Sequence, residues 1–101
     1  RELEAASNRL AHALRAHGVE PGARVGVHAE RSPSLLIALL ATMKAGATYV
    51  PLDARQPEAR LARIVEDAGI RLVLWNDDSA PDIPAPVIAL VVAVGYGLAT
   101  D

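Results

Sequence analysis

Residues 43–53 read Met-Lys-Ala-Gly-Ala-Thr-Tyr-Val-Pro-Leu-Asp, a pattern typical of a helix that ends, a backbone that reverses and a short strand that begins. Lys44 falls in the predicted last helical turn, where a cation meets the negative end of the helix dipole. Gly46 can adopt the left-handed conformation that ends a helix. The strand-favouring residues 48–50 follow, and Pro51, which has no N–H, is predicted to end the hydrogen-bond ladder.

The helix before this stretch is predicted to be buried. Residues 35–40 are apolar on every side of a helix, which is the pattern of an interior helix rather than an amphipathic one. Ser32 is placed to act as its N-cap, and Pro33 suits the first helical position.

An amphipathic helix is predicted at the start of the chain. Apolar residues recur there at the three-to-four spacing of one helix face, at Leu3, Ala6, Leu10, Ala13 and Leu14. Gly18 is its predicted stop, and a turn at 21–22 leads into a strand at 24–29. Gly26 inside this strand suggests that another backbone approaches closely.

The rest of the chain repeats the same order of helix and strand. Pro57 is predicted to open a helix that ends at Gly69 and buries one face, formed by Leu61, Ile64, Val65 and Ala68. Residues 70–75 form a predicted strand, and a proline-rich loop leads to a last buried strand at 87–94. Short connections between alternating helices and strands predict parallel strands. The predicted fold is α/β, a doubly wound, mainly parallel sheet with alternating helices.

Composition excludes several classes of function. The 101 residues carry a formal charge of −2 with acids and bases interspersed, so nucleic acid and anionic membrane surfaces are poor partners. The chain has no cysteine, which excludes disulfides and thiolate metal sites and is compatible with the cytoplasm. Its longest apolar run, 87–94, is far shorter than the roughly 20 residues of a membrane helix. The chain begins without Met and inside a helix pattern, so we expect a fragment of a longer polypeptide. The high apolar content, 51%, predicts apolar faces that meet something outside this segment.

The central stretch resembles the second core motif of the adenylation domains of non-ribosomal peptide synthetases. In that family a Lys-Ala-Gly turn leads into Tyr-Val-Pro and an acidic residue, as Lys44 to Gly46 and Tyr49 to Asp53 do here. Thr48 and Met43 depart from the usual small residue and Leu. The resemblance extends to residues 1–3, 6–14 and 30–32. It also includes the turn and strand at 18–19, 21–22 and 25, where Ala23 departs from a common acidic residue, and the positions Pro57, Arg60, Leu61 and Asp67. It identifies residues 1–101 as an incomplete N-terminal part of an adenylation domain, a partial layer of the adenylate-forming fold.

The resemblance implies an activity for the complete domain. Such a domain makes an aminoacyl adenylate from ATP with Mg²⁺ and loads the phosphopantetheine thiol of a carrier protein. Expected partners are the remainder of the adenylation domain and the neighbouring condensation and carrier domains. The family's phosphate loop, its nucleotide and substrate residues and its C-terminal subdomain have no counterpart in this sequence. The chain is therefore expected to hold no catalytic, cofactor-binding or metal-binding residue and to be inactive alone.

Several residues are candidates for chemistry, and each has a plainer interpretation. Lys44 is expected to be a dipole partner rather than a phosphate ligand. Asp53 is expected to be a turn or cap residue, because no second acid converges with it on a metal ion. His12 and His17 are five positions apart on a helix and face different directions, so they are not expected to share a metal.

The remaining candidates are also expected to be structural. His28 is predicted to be a packed or surface histidine, and Tyr49 to pack in the core or an interface. Asp77 and Asp78 are interpreted as solvated loop charges. Gly95 and Gly97 resemble a phosphate loop only weakly, since no further glycine or lysine follows.

The sequence leaves other functions open. The chain could be a catalytically silent remnant of an adenylation domain that acts as a scaffold or docking element in a megasynthase. It could also be part of an acyl-CoA ligase, although Tyr49-Val50-Pro51 favours peptide synthetases. An unrelated nucleotide-binding module would require a glycine-rich turn after the first strand, and residues 28–31 do not form one.

Overall fold

The computed structural model describes residues 2–28, 33–53, 55–75 and 82–90. Three helices and four strands alternate at first and then end in two successive strands. In chain order they are α1 (Glu2–Ala16), β1 (Arg24–His28), α2 (Pro33–Lys44), β2 (Thr48–Pro51), α3 (Glu58–Ala68), β3 (Ile70–Trp75) and β4 (Val87–Ala89). The predicted elements are all present, so the central stretch does join a helix to a strand. Ser32, the expected N-cap of α2, lies outside the described residues.

The four strands form one parallel sheet in the order β2-β1-β3-β4. The chain therefore moves from β1 outward to β2 and then crosses back to the other side of β1. This arrangement confirms the predicted parallel α/β sheet.

Helices cover both faces of the sheet. On one face α1 and α2 pack together over a core that contains Leu10, Leu14, Ile37, Val25 and Leu72. On the other face α3 packs through Leu61 and Val65 on Val73 and Trp75. The side chains of a strand alternate between faces, so β3 contributes Leu72 and Leu74 to one core and Val73 and Trp75 to the other. The sheet is doubly wound, as the sequence predicts.

All three helices end at glycines in the left-handed conformation. Gly18, Gly46 and Gly69 have φ values of 87°, 74° and 65°. At the end of α2 the Gly46 N–H donates to Met43 O over 2.9 Å, and the Ala47 N–H donates to Thr42 O over 3.0 Å. These two bonds form a Schellman motif, which satisfies carbonyls that the helix leaves unpaired. The predicted helix stops are thus confirmed.

β2 ends at Pro51, as predicted, but the missing N–H of Pro51 is not what ends its pairing with β1. The Thr48 N–H donates to Ala23 O, just before β1, over 2.8 Å. The Leu52 N–H donates to Val27 O of β1 over 2.9 Å. Alternate residues of a strand turn their backbone groups to opposite sides, so the nitrogen of Pro51 faces away from β1. Pro51 removes a donor only on the side of β2 that no described strand pairs with.

Gly26 is approached by side chains and not by the backbone that the sequence led us to expect. A Cβ at this position would lie 2.9 Å from Leu52 Cδ1 and 3.4 Å from two carbons of Ile70. Because glycine has no side chain, Leu52 and Ile70 can pack against Gly26 on the face of the sheet that α3 covers.

The last strand is shorter and less buried than predicted. β4 covers Val87–Ala89, and all three of its residues are half-buried. Among the described strands β4 lies at one edge of the sheet and pairs with β3 alone, which agrees with this exposure. Leu90 is buried but is not part of the strand, and residues 91–94 of the predicted strand lie outside the described residues.

Candidate functional site

The central stretch forms a joint between α1 and α2, and Lys44 is its main polar contact. The Lys44 Nζ donates to Ser7 Oγ over 2.7 Å and to Asn8 Oδ1 over 2.8 Å, both on α1. A third, longer bond of 3.4 Å reaches Glu4 O. An ammonium group has three donors, so this arrangement uses all of them. Lys44 lies in the last turn of α2, as expected, and its charge is directed at α1.

Two arginine side chains donate hydrogen bonds to backbone carbonyls at the C-terminal ends of α2 and α3. Arg15 Nη2 donates to Lys44 O over 2.6 Å, and Arg24 Nη1 donates to Ala68 O over 2.8 Å. Each guanidinium thus meets carbonyls at the negative end of a helix dipole, α2 in one case and α3 in the other. Together with Lys44 they hold the ends of α2 and α3 against neighbouring elements.

These two arginine contacts were missed by reasoning from the sequence. The partners are separated by 29 and 44 residues, so no local spacing relates them. The only sequence signals were a base in the last turn of α1 and a base at the start of a strand. Both are common on ordinary exposed surfaces, so neither indicates a particular carbonyl.

His28 and Trp75 form an aromatic stack at the carboxyl ends of β1 and β3. Their ring centroids lie 3.5 Å apart with an interplanar angle of 9°. They are opposite each other in the strand register, and their exposed fractions are 5% and 7%. His28 is therefore a packed histidine, one of the two interpretations that the sequence left open. The strand order places this stack at the β1/β3 boundary, where ligands often bind in other open α/β sheets.

Asp53 shapes the turn after β2. Its Oδ1 accepts the Arg55 N–H over 2.9 Å and the Arg55 Nε–H over 3.3 Å. The backbone hydrogen bond from Arg55, and then the Arg55 side chain, lower the pKa of the Asp53 carboxyl. The hydrogen bond to the Asp53 side chain, and then the negative charge of that carboxylate, raise the pKa of the Arg55 guanidinium. The expected role of Asp53 as a turn residue is confirmed.

The other candidates do not converge on a site. His12 is exposed, and His17, in the turn after α1, donates from Nδ1 to Ala13 O over 2.9 Å. Across the described ranges no group of three or more His, Cys, Asp or Glu side chains could hold a metal ion. Asp77, Asp78, Gly95 and Gly97 lie outside those ranges. The prediction that the segment carries no catalytic or binding residue stays a prediction.

An open depression of about 390 Å³ lies at the opposite, amino end of the sheet. It is lined by residues from α3, from β3 and from the segment before β4, namely Val65, Glu66, Gly69, Ile70, Arg71, Pro84, Ala85 and Pro86. Its two charged residues, Glu66 and Arg71, have opposite signs, and its lining contains no group of hydrogen-bond donors directed at a common point. This lining gives no basis for catalysis or for selective binding of an anion.

A family model described as AMP-binding enzyme matches residues 1–96. The chain belongs to the AMP-binding enzyme family. This match, together with the similar proteins below, confirms the resemblance of the chain to an N-terminal segment of an adenylation domain. None of the helices in the described ranges is long and apolar enough to cross a membrane.

Members of this family that are similar to the chain come from peptide synthetases. Chondramide synthase cmdD of Chondromyces crocatus is 47% identical over 83 residues, which are 78% of this chain and 2% of that protein. The non-ribosomal peptide synthetase FmoA3, solved with α-methyl-L-serine-AMP, is 32% identical with a TM-score of 0.84. That match covers 91% of this chain and 11% of the FmoA3 chain.

A third similar protein was solved as a separate subdomain. It is the N-terminal subdomain of Klebsiella oxytoca NpsA in complex with anthranilyl-AMSN, 30% identical with a TM-score of 0.76. The match covers 92% of this chain and 24% of the NpsA subdomain. The chain thus spans about a quarter of this subdomain and a far smaller part of the complete synthetase cmdD.

Proposed function

We propose that this chain is the N-terminal layer of an adenylation domain in a non-ribosomal peptide synthetase. The complete domain would join an amino acid to ATP, forming an aminoacyl adenylate and releasing pyrophosphate. The observation that carries this proposal is the match to FmoA3, whose fold this chain shares over 91% of its length. FmoA3 was solved with α-methyl-L-serine-AMP bound, and this ligand is itself an aminoacyl adenylate.

The layer's own contribution is architectural. Lys44, the most suggestive cation of the family motif, is saturated by acceptors on α1, which leaves no ammonium hydrogen for a phosphate. Asp53 is engaged by its neighbour Arg55. The conspicuous polar residues of the motif therefore fix how a helix, a turn and a strand meet.

ATP and Mg²⁺ are the proposed cofactors of the complete domain, but the described residues do not fit them. A magnesium site needs converging oxygen ligands, and no cluster of acids exists within 2–28, 33–53, 55–75 and 82–90. We therefore derive no catalytic step from this chain. The groups that hold nucleotide, metal and substrate would lie in the rest of the domain.

The partners follow from the same proposal. The rest of the adenylation domain is the first, and carrier and condensation domains of a synthetase are the next. Transfer of the aminoacyl group to a carrier thiol is part of the proposed activity of the complete enzyme. We place the enzyme in the cytoplasm, in keeping with its use of ATP and the absence of cysteine from this chain.

A hybrid enzyme tests this function. Residues 2–90 of this chain would replace the matching layer of the Klebsiella oxytoca NpsA adenylation domain; we call this protein the NpsA hybrid. We expect anthranilate-dependent exchange of pyrophosphate into ATP by the hybrid and none by the 101-residue chain alone. A folded hybrid without exchange would favour the alternative of a silent remnant. Turnover by the chain alone would contradict its architectural role.

A further inference from the structure

The outer edge of β2, which faces away from β1, has few hydrogen-bond donors. The backbone groups of successive strand residues alternate in direction, and Thr48 and Leu52 donate toward β1. Tyr49 and Pro51 therefore turn their backbone groups outward, and no described strand pairs with them. Because proline has no N–H, Tyr49 is the only residue of β2 that directs an N–H outward.

The residues that flank β2 do not continue this edge. Ala47 precedes the strand, and its N–H donates to Thr42 O over 3.0 Å at the end of α2. Asp53 follows the strand, and its carbonyl accepts the Gln56 N–H over 3.1 Å in the next turn. Both groups are thus bonded within the chain, and β2 offers an incoming strand the single donor of Tyr49.

The opposite edge of the described sheet lacks this feature. The Val73 N–H donates to Pro86 O over 2.9 Å, so Pro86 and Ile88 turn their backbone groups toward β3. The alternate residues Val87 and Ala89 turn theirs away from β3, and each has an N–H. The two edges therefore differ, because an outward donor is missing from β2 and none is missing from β4.

We propose that Pro51 closes the outer edge of β2 to strand pairing, so that β2 of a second copy of this chain cannot extend the sheet. Unpaired edge strands are templates for pairing between chains, and an outward proline is one way in which natural sheets prevent it. The Pro51 side chain is exposed, so the core does not require proline at this position. A chain with one open edge can pair once, whereas a chain with two can form an open-ended assembly.

Restoring the missing donor tests this proposal. Pro51→Thr supplies an outward N–H, favours a strand and adds no large apolar surface. We expect it to raise the weight-average mass of the folded 101-residue chain at least about twofold, measured by sedimentation over a concentration series. The matched control is the double variant Tyr49→Pro with Pro51→Thr, which moves the proline to the other outward position. It keeps every N–H that β2 donates to β1, and its mass should return to that of the parent chain.

Two results of the sedimentation experiment would overturn the proposal. Circular dichroism and urea denaturation establish first that each variant is folded. An unchanged mass for folded Pro51→Thr at every concentration is one such result. Equal association by Pro51→Thr and by the double variant is the other, because the gain would then not depend on outward donors.

Hydrogen exchange provides a second measurement if the double variant does not fold. In the associated Pro51→Thr protein the amide hydrogen of Tyr49 should exchange more slowly than in the dilute, dissociated protein, because a paired strand would accept its hydrogen bond. Equal exchange in the two states would place the contact elsewhere on the molecule and overturn the proposal.

Discussion

Two polar residues of the family motif, Lys44 and Asp53, are engaged in contacts within the described part of the chain. Lys44 lies in the last turn of α2, and its ammonium donates to two side chains and a carbonyl of α1. Asp53 fixes the turn after β2 through the N–H of Arg55. Both residues would attract attention in a search for phosphate or metal ligands. Their observed partners show that each is already used inside the layer.

Loss of the Lys44 ammonium should destabilise the fold. Lys44→Met keeps a long apolar stem but removes all three donors, so we expect the free energy of unfolding to fall by about 1–2 kcal/mol. Urea denaturation measures this change. Arg63→Met removes an exposed cation from α3 and is the control, with an expected change below about 0.5 kcal/mol. Equal effects of the two substitutions would show that the Lys44 contacts contribute nothing specific.

The stability supplied by Asp53 should depend on pH in a defined direction. The folded-state pKa of its carboxyl is lowered from 3.8, so the charged form is favoured by folding. The stabilisation is complete well above 3.8 and is lost as the pH falls through the lower folded-state pKa. Asp53→Asn should therefore be less stable than the parent chain at neutral pH.

Denaturant unfolding at several pH values checks this dependence on Asp53. The stability gap between the parent chain and Asp53→Asn should narrow as the pH falls from about 5 to about 2. A gap that stays constant over this range would mean that the carboxylate charge has no role in the turn.

At the scale of elements, the three described helices end in the same way. A left-handed glycine ends the helix, the next strand begins within a few residues, and the chain enters the sheet. The turn after α2 is also hydrogen-bonded to the turn before β1, because the Gly22 N–H donates to Gly46 O over 2.8 Å. The turn after α2 therefore fixes both the helix end and the approach to β2.

Gly46 should tolerate substitution poorly because its φ is 74°. A Cβ in the left-handed region is strained, so we expect Gly46→Ala to lower the free energy of unfolding by about 1–2 kcal/mol. Gly46→Asn is the matched control, because asparagine adopts this conformation more readily, and it should cost less. Thermal and urea unfolding of both variants would measure the difference. An alanine variant as stable as the asparagine variant would refute the strain argument.

Local signals in the sequence predicted most of the elements. Helix stops at Gly18, Gly46 and Gly69 were predictable because the conformational freedom of glycine acts within one turn. The roles of Pro51 and Gly26 were not, since they depend on which side of β2 is paired and on the sizes of Leu52 and Ile70.

The contacts that join elements were beyond such reasoning. Arg15 and Arg24 meet carbonyls far along the chain, and only the assembled fold brings them together. For the candidate site, the sequence indicated correctly that Asp53 lies in a turn and that Lys44 ends a helix. It gave no sign that the Lys44 ammonium bridges to Ser7 and Asn8.

At the scale of the whole molecule, helices cover both faces of the sheet, and the outer surfaces of these helices differ in polarity. Two helices present polar sides, and α2 presents Leu36 and Met43. This asymmetry is understandable if the layer is one part of a larger adenylation domain. In that arrangement the family motif at 43–53 would align α1, α2 and β2, and we propose that the reacting groups come from the rest of the domain.

The central claim is that this motif contributes structure and not chemistry, and Lys44→Met in the NpsA hybrid tests it most directly. The measurement is the rate of anthranilate-dependent pyrophosphate exchange per folded molecule, together with the melting temperature. We predict a lower melting temperature and an exchange rate within about twofold of that of the unsubstituted hybrid; a twofold difference in rate corresponds to about 0.4 kcal/mol. An unchanged melting temperature with a hundredfold loss of exchange would contradict it and would assign Lys44 to the reaction.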